Sequence, residues 1–322
     1  PPEFSMKPDL ARAAIGALFF ASFTASACSS CGCTLSSDWD SQGYANDSGF
    51  RVDLRFDYLN QSRLVSGRDE VRRVDIALPS DREIERDTIN RYTTIGLDYS
   101  PNAAWGVNVQ LPWIDRSHAT WPEGETELST SDTHALGDVR VLARYQGFRP
   151  QHDVGVQFGL KLPTGRHDDT FDGGDEAGEA LDRGLQAGSG STDLLLGAYR
   201  FGALAQNWDA FAQGQAQIAV TTQHDYRPGS SLSLNAGLRY LGFGRWTPQL
   251  QLNLRSARRD AGDEADADNS GGTFAYLSPG LSVAIGERWH MYGFVQLPVY
   301  ERANGMQLAP RITASLGARY RF

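Results

Sequence analysis

The stretch SLGARYRF, residues 315–322, alternates polar or small side chains with apolar or aromatic ones. The same alternation continues back to Ile312. A period of two places one set of side chains on each face of a β-strand. Such a strand suits a sheet that is apolar on one side and polar on the other. Soluble antiparallel sheets have this character, and so do transmembrane barrels, whose inner face meets a wet lumen.

The composition excludes several classes of protein and leaves a barrel open. The chain has 322 residues, a mean hydropathy of -0.41 and 21% charged residues, and no run approaches the roughly 20 apolar residues of a membrane helix. A helical membrane protein is therefore excluded, whereas a barrel keeps a low mean hydropathy because only half of each strand faces lipid. The 34 glycines and 11% aromatic residues favour a β-rich chain with many turns. A net charge of -9 without a basic stripe argues against a nucleic-acid partner.

The first residues have the features of an export signal. Met6 and Lys7 precede the apolar stretch AAIGALFFASFTASA, which ends on a small-x-small site at Ala27. We therefore divide the chain into upstream residues and signal peptide (1–27), a cysteine-containing periplasmic or plug segment (28–48) and a barrel (49–322). This division predicts export to the bacterial outer membrane.

The period of two recurs along the predicted barrel. In FRVDLRFDY, residues 50–58, every residue between the apolar ones is charged, which is difficult to reconcile with a soluble sandwich. Similar segments repeat as far as the C-terminal stretch and add up to about twelve strands. An even number brings both termini to one side, as single-chain bacterial barrels require. We predict an all-β fold, a transmembrane antiparallel up-and-down β-barrel with outer-membrane lipid around it.

The connections between these segments alternate in length. The predicted short turns are SPNAA, RPQ, GALAQ, GFGR and GER, at 100–104, 149–151, 202–206, 242–245 and 286–288. The predicted long connections cover 60–88, 115–133, 165–190, 222–229, 257–272 and 301–309. Short periplasmic turns and long extracellular loops are typical of outer-membrane barrels.

Aromatic residues collect at the predicted strand ends. The set at the short-turn end comprises Trp105, Trp208, Trp246, Trp289, Tyr99, Tyr145, Tyr199, Tyr240 and Tyr320. Tyr58, Trp113 and Tyr300 form a candidate set at the opposite end. Amphipathic rings prefer headgroup depth, so the aligned sets predict aromatic girdles. Any one ring taken alone fits ordinary core packing better.

The C-terminal stretch resembles the signal by which bacterial assembly machinery recognises outer-membrane barrels. That signal has a polar residue, a glycine and two aromatic residues in fixed register, here Ser315, Gly317, Tyr320 and Phe322. The resemblance implies the barrel-assembly machinery as a partner. Physically, the last strand must pair with the first, because an unpaired strand edge cannot be satisfied in lipid.

Three stretches of the predicted barrel are informative together: LGDVRVLARY at 136–145, LKLPTG at 160–165 and GSGSTDLLLGAY at 188–199. They resemble one family of outer-membrane transporter barrels, the family named for the meta-cleavage pathway of phenol degradation. These motifs are structural, since they open strands or turn a strand into an outer loop. The resemblance implies a barrel with a transport role and carries no catalytic residue over to this chain. It does not extend to the segment that precedes the first strand.

All three cysteines, Cys28, Cys31 and Cys33, lie in the sequence CSSCGCTL. The spacing C-x-x-C-x-C can chelate zinc or copper(I), although three ligands leave a structural zinc site incomplete. An exported thiol pair can instead form a disulfide with one cysteine left over, or all three can be inert. Cys28 directly after Ala27 is also a candidate lipidated residue. Apart from a metal ion at these cysteines, no cofactor is predicted.

The remaining titratable residues point to no enzyme. Acidic residues crowd 165–190 and 260–268, and the sequence DADNSGG imitates the start of a calcium loop. Its twelfth position is Leu277, however, where a bidentate glutamate is needed. The six histidines are scattered and form no recognisable pair with a nucleophile. Solvated, weakly cation-attracting loops and no catalysis are the expectation.

Charged residues on the polar faces of the strands are the candidate lumen lining. They are Arg55, Asp57, Asp98, Asp138, Arg140, Arg144, Lys161, Asp193, Arg239, Arg255, Arg311 and Arg319, with Arg51 and Asp53 beside them. Opposed charges across a pore orient polar solutes, whereas charges locked in pairs only fill and stiffen the interior. Twelve strands lie between filled barrels of about eight and freely conducting barrels of sixteen or more.

Two functions follow from this pattern. The first is an outer-membrane channel or transporter for passive passage of a small solute. The alternative is a closed barrel that acts through its cysteine-bearing N-terminal segment in metal handling or partner docking. The segment with Trp39 and Tyr44 could also enter the lumen as a plug.

Overall fold

The computed structural model describes residues 48–322. The predicted signal peptide (1–27) and residues 28–47 of the cysteine-containing segment lie outside the described residues. The strands are β1 (Gly49–Ser66), β2 (Asp69–Val71), β3 (Ile84–Ser100), β4 (Trp105–Trp121), β5 (Ser129–Leu136), β6 (Val139–Tyr145), β7 (Val154–Leu162), β8 (Asp193–Ala205), β9 (Trp208–Ala219), β10 (Ser231–Tyr240), β11 (Trp246–Ala257), β12 (Gly272–Ile285), β13 (Trp289–Ala303) and β14 (Met306–Arg321). A single 3-10 turn spans Arg73–Asp75 within this part of the chain.

The strands form one closed antiparallel barrel. Sequential strands pair from β6 to β14, and β1, β3, β4 and β6 continue the sheet on the other side. β14 pairs with β1 from Arg51↔Arg321 to Ser66↔Met306, which closes the cylinder. β5 and β6 both pair with β4 and act as the two halves of one wall strand. β2 pairs with the end of β1 only. The wall therefore has the twelve strands that the sequence predicts.

The period of two separates two faces of the wall. On β10, Leu232, Leu234 and Leu238 are exposed, whereas Asn235 and Arg239 between them are buried. Most of the other wall strands also place apolar residues outside and polar residues inside, although some aromatic rings are buried on the inner face. Such an inside-out arrangement is stable only when the outer face is covered by hydrocarbon, because water would leave that apolar surface hydrated.

The two ends of the barrel differ as predicted, but three of the predicted long connections are corrected. At the short-turn end, β8 and β9 are joined by two residues and β12 and β13 by three. At the long-loop end, residues 163–192 form the connection between β7 and β8. The predicted long connection at 301–309 is wrong: β13 and β14 run on to a two-residue turn, Asn304–Gly305. The predicted loops at 60–88 and 115–133 also contain strand, since β1, β3, β4 and β5 extend into them.

An aromatic girdle surrounds the short-turn end. Trp105 packs on Tyr145, Trp208 on Tyr240 and Trp289 on Tyr320, with ring centroids 4.8, 5.0 and 4.8 Å apart. The assignment of Tyr199 to this girdle is wrong. Its ring is buried and its hydroxyl donates to Gln146 Oε1 at 2.8 Å, so it faces the lumen. The sequence does not show which face of β8 points outward, because apolar residues stand on both of its faces.

The apolar belt ends sharply on the outer face of β3, β4 and β5. Trp113 pairs across the strands with Leu136, and one step further lie Arg91, Asp115 and His134. Arg91 Nη1 donates to Asp115 Oδ1 at 2.9 Å, and His134 Nδ1 lies 3.7 Å from Asp115 Oδ2. Outward charges do not belong in hydrocarbon, so the wall beyond Trp113 projects out of the belt.

Candidate functional site: the barrel lumen

The predicted lumen charges lie on the inner face, with one exception. The side chains opposite the exposed apolar set are Arg51, Asp53, Arg55, Asp57, Asp98, Asp138, Arg140, Arg144, Lys161, Asp193, Arg239, Arg255 and Arg319. They form three groups along the barrel axis: one near the short turns, one at the motif strands β6 to β8, and one around a central cavity.

Arg311 is the exception, and its assignment to the lumen is corrected. Its side chain is 68% exposed and pairs with Glu70 at 3.2 Å. Between Leu59↔Thr313 and Gln61↔Pro310 the β1–β14 register shifts, so three steps of β14 oppose two of β1. This β-bulge inserts one extra residue and reverses the alternation locally, which turns Arg311 away from the lumen.

A buried ion cluster occupies the short-turn end. Arg51 Nη1 and Arg144 Nη1 each donate to Asp98, at 2.6 Å, from opposite sides of its carboxylate. Ser100 Oγ accepts from both guanidinium groups, and Arg319 Nη2 stands 3.9 Å from Asp98 Oδ1. All these side chains are buried. The cluster ties three wall strands to β14 on the inner face of the barrel.

The reach of Arg144 depends on a glycine. Arg144 lies on β6 and Asp98 on β3, with β4 between them. A Cβ at Gly106 of β4 would lie 2.3 Å from Arg144 Cζ. The guanidinium group therefore crosses the neighbouring strand in the space that the missing side chain leaves.

Polar pairs and aromatic rings line the rest of the short-turn half. Arg239 Nη2 donates to Asp209 Oδ2 at 2.9 Å, and Gln213 Nε2 to Gln157 Oε1 at 3.1 Å. The ring of Tyr292 lies over Gly317, where a Cβ would be 2.1 Å from the ring. Its hydroxyl donates to Asp53 Oδ1 at 3.2 Å. Hydrogen-bonded polar groups therefore line this half of the lumen.

The three motifs that carry the family resemblance meet in space. Asp138 accepts hydrogen bonds from Gly165 N at 3.1 Å and from Ser189 N and Oγ at 2.9 and 2.7 Å. Thr164 Oγ1 donates to Gly137 O at 3.2 Å. One residue of the first motif thus holds both ends of the 163–192 loop. The pattern of glycines and small polar residues is explained by this close approach of backbone segments.

Lys161 sits beneath this junction. Its Nζ lies 3.1 Å from carboxylate oxygens of both Asp138 and Asp193. Asp193 also accepts from Ser191 Oγ at 2.6 Å and from Gln217 Nε2. Both carboxylates therefore accept hydrogen bonds from residues of the wall or the loop, and the ammonium group of Lys161 lies between them.

The 163–192 loop folds into the barrel. Gln186 is buried, accepts from Asp169 N and donates to Asp169 O and Leu181 O, all at 2.9 Å. Phe171, Leu181 and Leu185 form a small buried apolar cluster of the loop. The apolar cluster and the hydrogen bonds of Gln186 to the backbone together hold the 163–192 loop in one conformation.

Arg116 fastens the loop to the wall. Its guanidinium donates to Leu185 O and to Gly184 O at 3.4 Å, and on the wall side to Asn90 Oδ1 at 2.6 Å and Tyr92 Oη at 2.9 Å. The sequence places Arg116 in a predicted loop, so it is absent from the candidate set. The only sequence feature that could have identified Arg116 is the alternation of Arg116 and His118, which continues the period of β4 past Trp113.

A cavity of about 370 Å³ lies inside the barrel between this loop and the wall. Its cationic lining consists of Arg55, Arg116, Arg140, Lys161, Arg183 and Arg255. Asp57 and Asp138 are the carboxylates of the lining. Arg183 belongs to the 163–192 loop and is absent from the residues predicted to line the lumen. No local sequence pattern shows whether a loop folds into the barrel or extends away from it. The cavity is of a size that holds a small molecule.

Buried acids lie at the long-loop end, beyond the apolar belt. Burial, together with the nearby carboxylate of Asp182, raises the pKa of Glu83 and of Glu85 well above the ordinary value. Burial lowers the pKa of His118 to about 3, and Arg116 contributes in the same direction. His118 Nδ1 lies 2.8 Å from Thr88 Oγ1. The three shifts all favour the neutral form of the group, as burial does for any ionisable side chain.

The calcium-like segment is an ordinary turn. Asp266 Oδ1 accepts from Asn269 N and Nδ2, both at 3.2 Å, and Asp268 pairs with Arg259 at 2.9 Å. Across residues 48–322, no three His, Cys, Asp or Glu side chains are placed to hold a metal ion. The candidate metal ligands Cys28, Cys31 and Cys33 lie outside the described residues.

The residues of the assembly signal lie at the barrel seam. Ser315 Oγ donates to Asp57 Oδ1 at 2.5 Å on the inside. Tyr320 packs outside on Phe322, which in turn packs on Phe50 of the first strand, with centroids 4.8 and 5.4 Å apart. The stretch thus joins the last strand to the first through contacts on both faces.

Comparisons with known proteins bear on the fold. Residues 48–322 contain no helix long and apolar enough to cross a membrane. No family model and no curated protein sequence matches the chain. Among solved structures, the COG4313 outer membrane channel from Pseudomonas putida F1 is similar, with a TM-score of 0.61 and 12% identity over 88% of this chain and 98% of that one. The fold is that of an outer-membrane barrel.

A second similar structure shows how little the fold alone says about function. The beta domain of the Bordetella autotransporter BrkA has a TM-score of 0.50 and 13% identity, over 86% of this chain and all (100%) of that one. A channel and an autotransporter domain thus share this outer-membrane barrel architecture. The function has to be argued from the lumen.

Proposed function

We propose that this barrel is an outer-membrane channel that lets a small polar solute pass passively. The observation that carries the proposal is the central cavity, enclosed by a closed wall and a folded loop and lined by polar and charged side chains. A barrel whose interior served only as filler would have little reason to keep a charged space of this size. The similarity of the fold to a known outer membrane channel supports the proposal.

In the proposed orientation, the short turns and the Trp–Tyr girdle face the periplasm and the long loops face the exterior. Lipid of the outer membrane covers the apolar belt, and the assembly machinery recognises Ser315, Gly317, Tyr320 and Phe322. A solute passes between the 163–192 loop and the wall, exchanges part of its hydration shell for the lining groups, and leaves past the ion cluster around Asp98. No catalytic step and no resident cofactor are part of the proposal.

The resemblance to the phenol-degradation transporter family remains a prediction for this chain. It rests on the three motifs, whose role in the structure is to hold the loop against the wall. Those motifs contain Asp138 and Lys161, but most of the cavity lining comes from other segments. We therefore propose a channel and leave phenol out of the proposal.

The test is single-channel conductance of the mature chain in planar bilayers. Thr94 lines the cavity, and its neighbour Ile95 is exposed on the outer face. Thr94→Trp fills the lumen and is expected to reduce the conductance steps, whereas the matched Ile95→Trp, which adds the same ring to the lipid side, should leave them unchanged. Equal conductance of all three proteins would show that ions do not pass the cavity.

The same conductance recording distinguishes the channel from the alternative function, a closed barrel that acts through residues 28–48. Silence of both the mature chain and a form without residues 28–48 would reject the channel. Conductance that appears only after the truncation would identify the segment as a plug.

A further inference from the structure

We infer that the central cavity binds small carboxylate anions, and that such anions are the solutes the channel selects. This inference rests on the proposed function and adds a substrate class to it. The balance of charge inside the barrel and the hydrogen bonds of the charged groups both favour an anion.

The cavity carries more positive than negative charge. Six cationic side chains line it, against the two carboxylates of Asp57 and Asp138. Adding Asp193, which lies behind Lys161, still leaves an excess of three positive charges. The whole chain has the opposite sign, with a net charge of -9. The positive charge is therefore concentrated in the lumen, and the average composition does not account for it.

The carboxylates of the lining are already engaged. Asp57 Oδ2 forms an ion pair with Arg55 Nε at 2.7 Å, and Asp57 Oδ1 accepts from Ser315 Oγ. Asp138 is held by Lys161 and by the backbone and side chain of Ser189. These acids neutralise Arg55 and Lys161 and have little capacity left for the other cations.

Three guanidinium groups have only neutral acceptors. Arg116 donates to carbonyl, amide and hydroxyl oxygens, Arg140 Nη2 donates to Gln217 Oε1 at 3.4 Å, and Arg183 donates to His167 O at 3.4 Å and Ser189 O at 3.2 Å. In residues 48–322, none of the three forms an ion pair. Neutral acceptors fix where the charges stand without cancelling them, and desolvated positive charges without a counter-ion favour an anionic ligand.

Carboxylate is the group that fits this arrangement. The guanidinium fork presents parallel N–H donors that match the two carboxylate oxygens. Between the charged groups the lining is polar, with Tyr92, Tyr226, Gln110 and Gln217. The cavity of about 370 Å³ limits the ligand to a small molecule.

The acidic loops do not contradict an anionic solute. Asp172, Asp175 and Glu179 are exposed on the folded loop, where charges are screened over about 8 Å at physiological ionic strength. The lining charges are partly buried and are screened much less. The exposed acids therefore weaken the attraction at the mouth, and the cavity decides which ion is retained.

The experiment uses the full mature chain and succinate as the probe. The reversal potential in a potassium chloride gradient is measured in planar bilayers, and succinate binding is measured independently by calorimetry in detergent, with the neutral diamide succinamide as the ligand control. We expect anion selectivity and binding of succinate only. The double variant Arg140→Gln/Arg183→Gln should weaken succinate binding about tenfold or more, as loss of charge-assisted hydrogen bonds implies.

Arg311→Gln is the matched control, because Arg311 is exposed and outside the cavity. It should leave selectivity and succinate binding unchanged. The double variant should still fold, because removing an arginine that forms no ion pair leaves no buried carboxylate without a partner. Heat-modifiable mobility of the variant on gels tests whether it folds. Conductance with cation selectivity and no succinate binding overturns the inference and leaves the channel intact. Succinate binding that the double variant loses, in a barrel that never conducts, rejects the channel and upholds the anion site.

Discussion

The Asp98 carboxylate shows how a single residue holds the short-turn end together. It accepts from Arg51 and Arg144, and Arg319 stands close by. Removing the carboxylate would leave positive charges facing each other among buried side chains. Breaking a buried pair of this kind costs about 3–5 kcal/mol, because the remaining charge stays buried without compensation.

We therefore predict that Asp98→Asn lowers the free energy of unfolding by about 3 kcal/mol or more. Asp115→Asn is the matched control, since Asp115 also pairs with an arginine but both side chains are partly exposed. Its expected cost is about 0–1 kcal/mol. Denaturant unfolding in lipid vesicles, followed by tryptophan fluorescence, measures both. Equal effects of the two substitutions would contradict the role of the Asp98 cluster.

Glu85 makes a pH-dependent contribution at the opposite end. Burial and the neighbouring acids Asp182 and Asp266 raise its pKa. A backbone hydrogen bond at Leu308 and the charge of Arg73 only partly offset this rise. The folded state thus holds the proton more tightly than the unfolded state. The stability that this proton provides is present at acidic pH and is lost as pH rises through the raised pKa, by about 1.4 kcal/mol for each unit of elevation.

Glu85→Gln should accordingly behave like the parent at about pH 4 and become more heat-resistant than the parent as the pH is raised into the alkaline range. The temperature at which the compact band is lost on gels, recorded across pH, provides the measurement. Glu125→Gln, at an exposed loop position, should change nothing. A parent barrel that becomes steadily more stable with rising pH would show the opposite sign.

The 163–192 loop is the element on which the candidate site depends. It contributes Arg183, Gly184, Gln186, Ala187 and Ser189 to the cavity, and its position is fixed by hydrogen bonds to its own backbone and to the wall. A segment held in this way opens locally with a free energy well below that of global unfolding. Local opening of the loop should therefore be measurable while the barrel remains folded.

Gln186→Ala removes three hydrogen bonds of this loop, each contributing about 1 kcal/mol. We predict that tryptic cleavage after Arg183 becomes about tenfold faster or more, because cleavage follows the population of the open form. Single-channel recordings should show more frequent gating. Gln206→Ala, in the exposed turn between β8 and β9, serves as the control. Unchanged cleavage would mean that the loop is held mainly by its apolar cluster.

The whole molecule is organised inside out with respect to a soluble protein. Its exposed surface carries Trp105, Trp208, Trp246 and Trp289 at one level, and its interior carries the charges. From Trp105 to Trp113 the strand rises about 27 Å at about 3.4 Å per residue, or about 20 Å along the axis at a tilt of about 40°. With the girdles included, this agrees with an apolar band of about 25 Å.

This arrangement predicts that lipid touches the tryptophans directly. In vesicles of lipids brominated on their acyl chains, the tryptophan emission should be strongly quenched, and more by bromine near the headgroup than by bromine at the bilayer centre. The same protein unfolded in denaturant, without vesicle contact, should show no quenching. A chain that stays folded and dispersed in plain buffer, with no quenching by these lipids, would rule out the membrane-spanning barrel.

The alternation of residues by itself determined the strands, their two faces, the barrel class and the two kinds of barrel end. Each of these depends on neighbours along one strand, because the side-chain period of two is local. Most of the inward charges, from Arg51 to Arg319, could be identified in the same way. The girdle tryptophans also followed from position alone, since a ring at a strand end has one preferred depth.

Only the tertiary structure decided which of these residues form a site. The bulge between β1 and β14 turned Arg311 outward, and the phase of β8 turned Tyr199 inward, because register is set by partners distant in sequence. Arg116 and Arg183 reached the cavity because the 163–192 loop folds into the barrel and does not extend away from it. That choice depends on contacts such as Asp138 with Ser189, 51 residues apart, which no local pattern encodes.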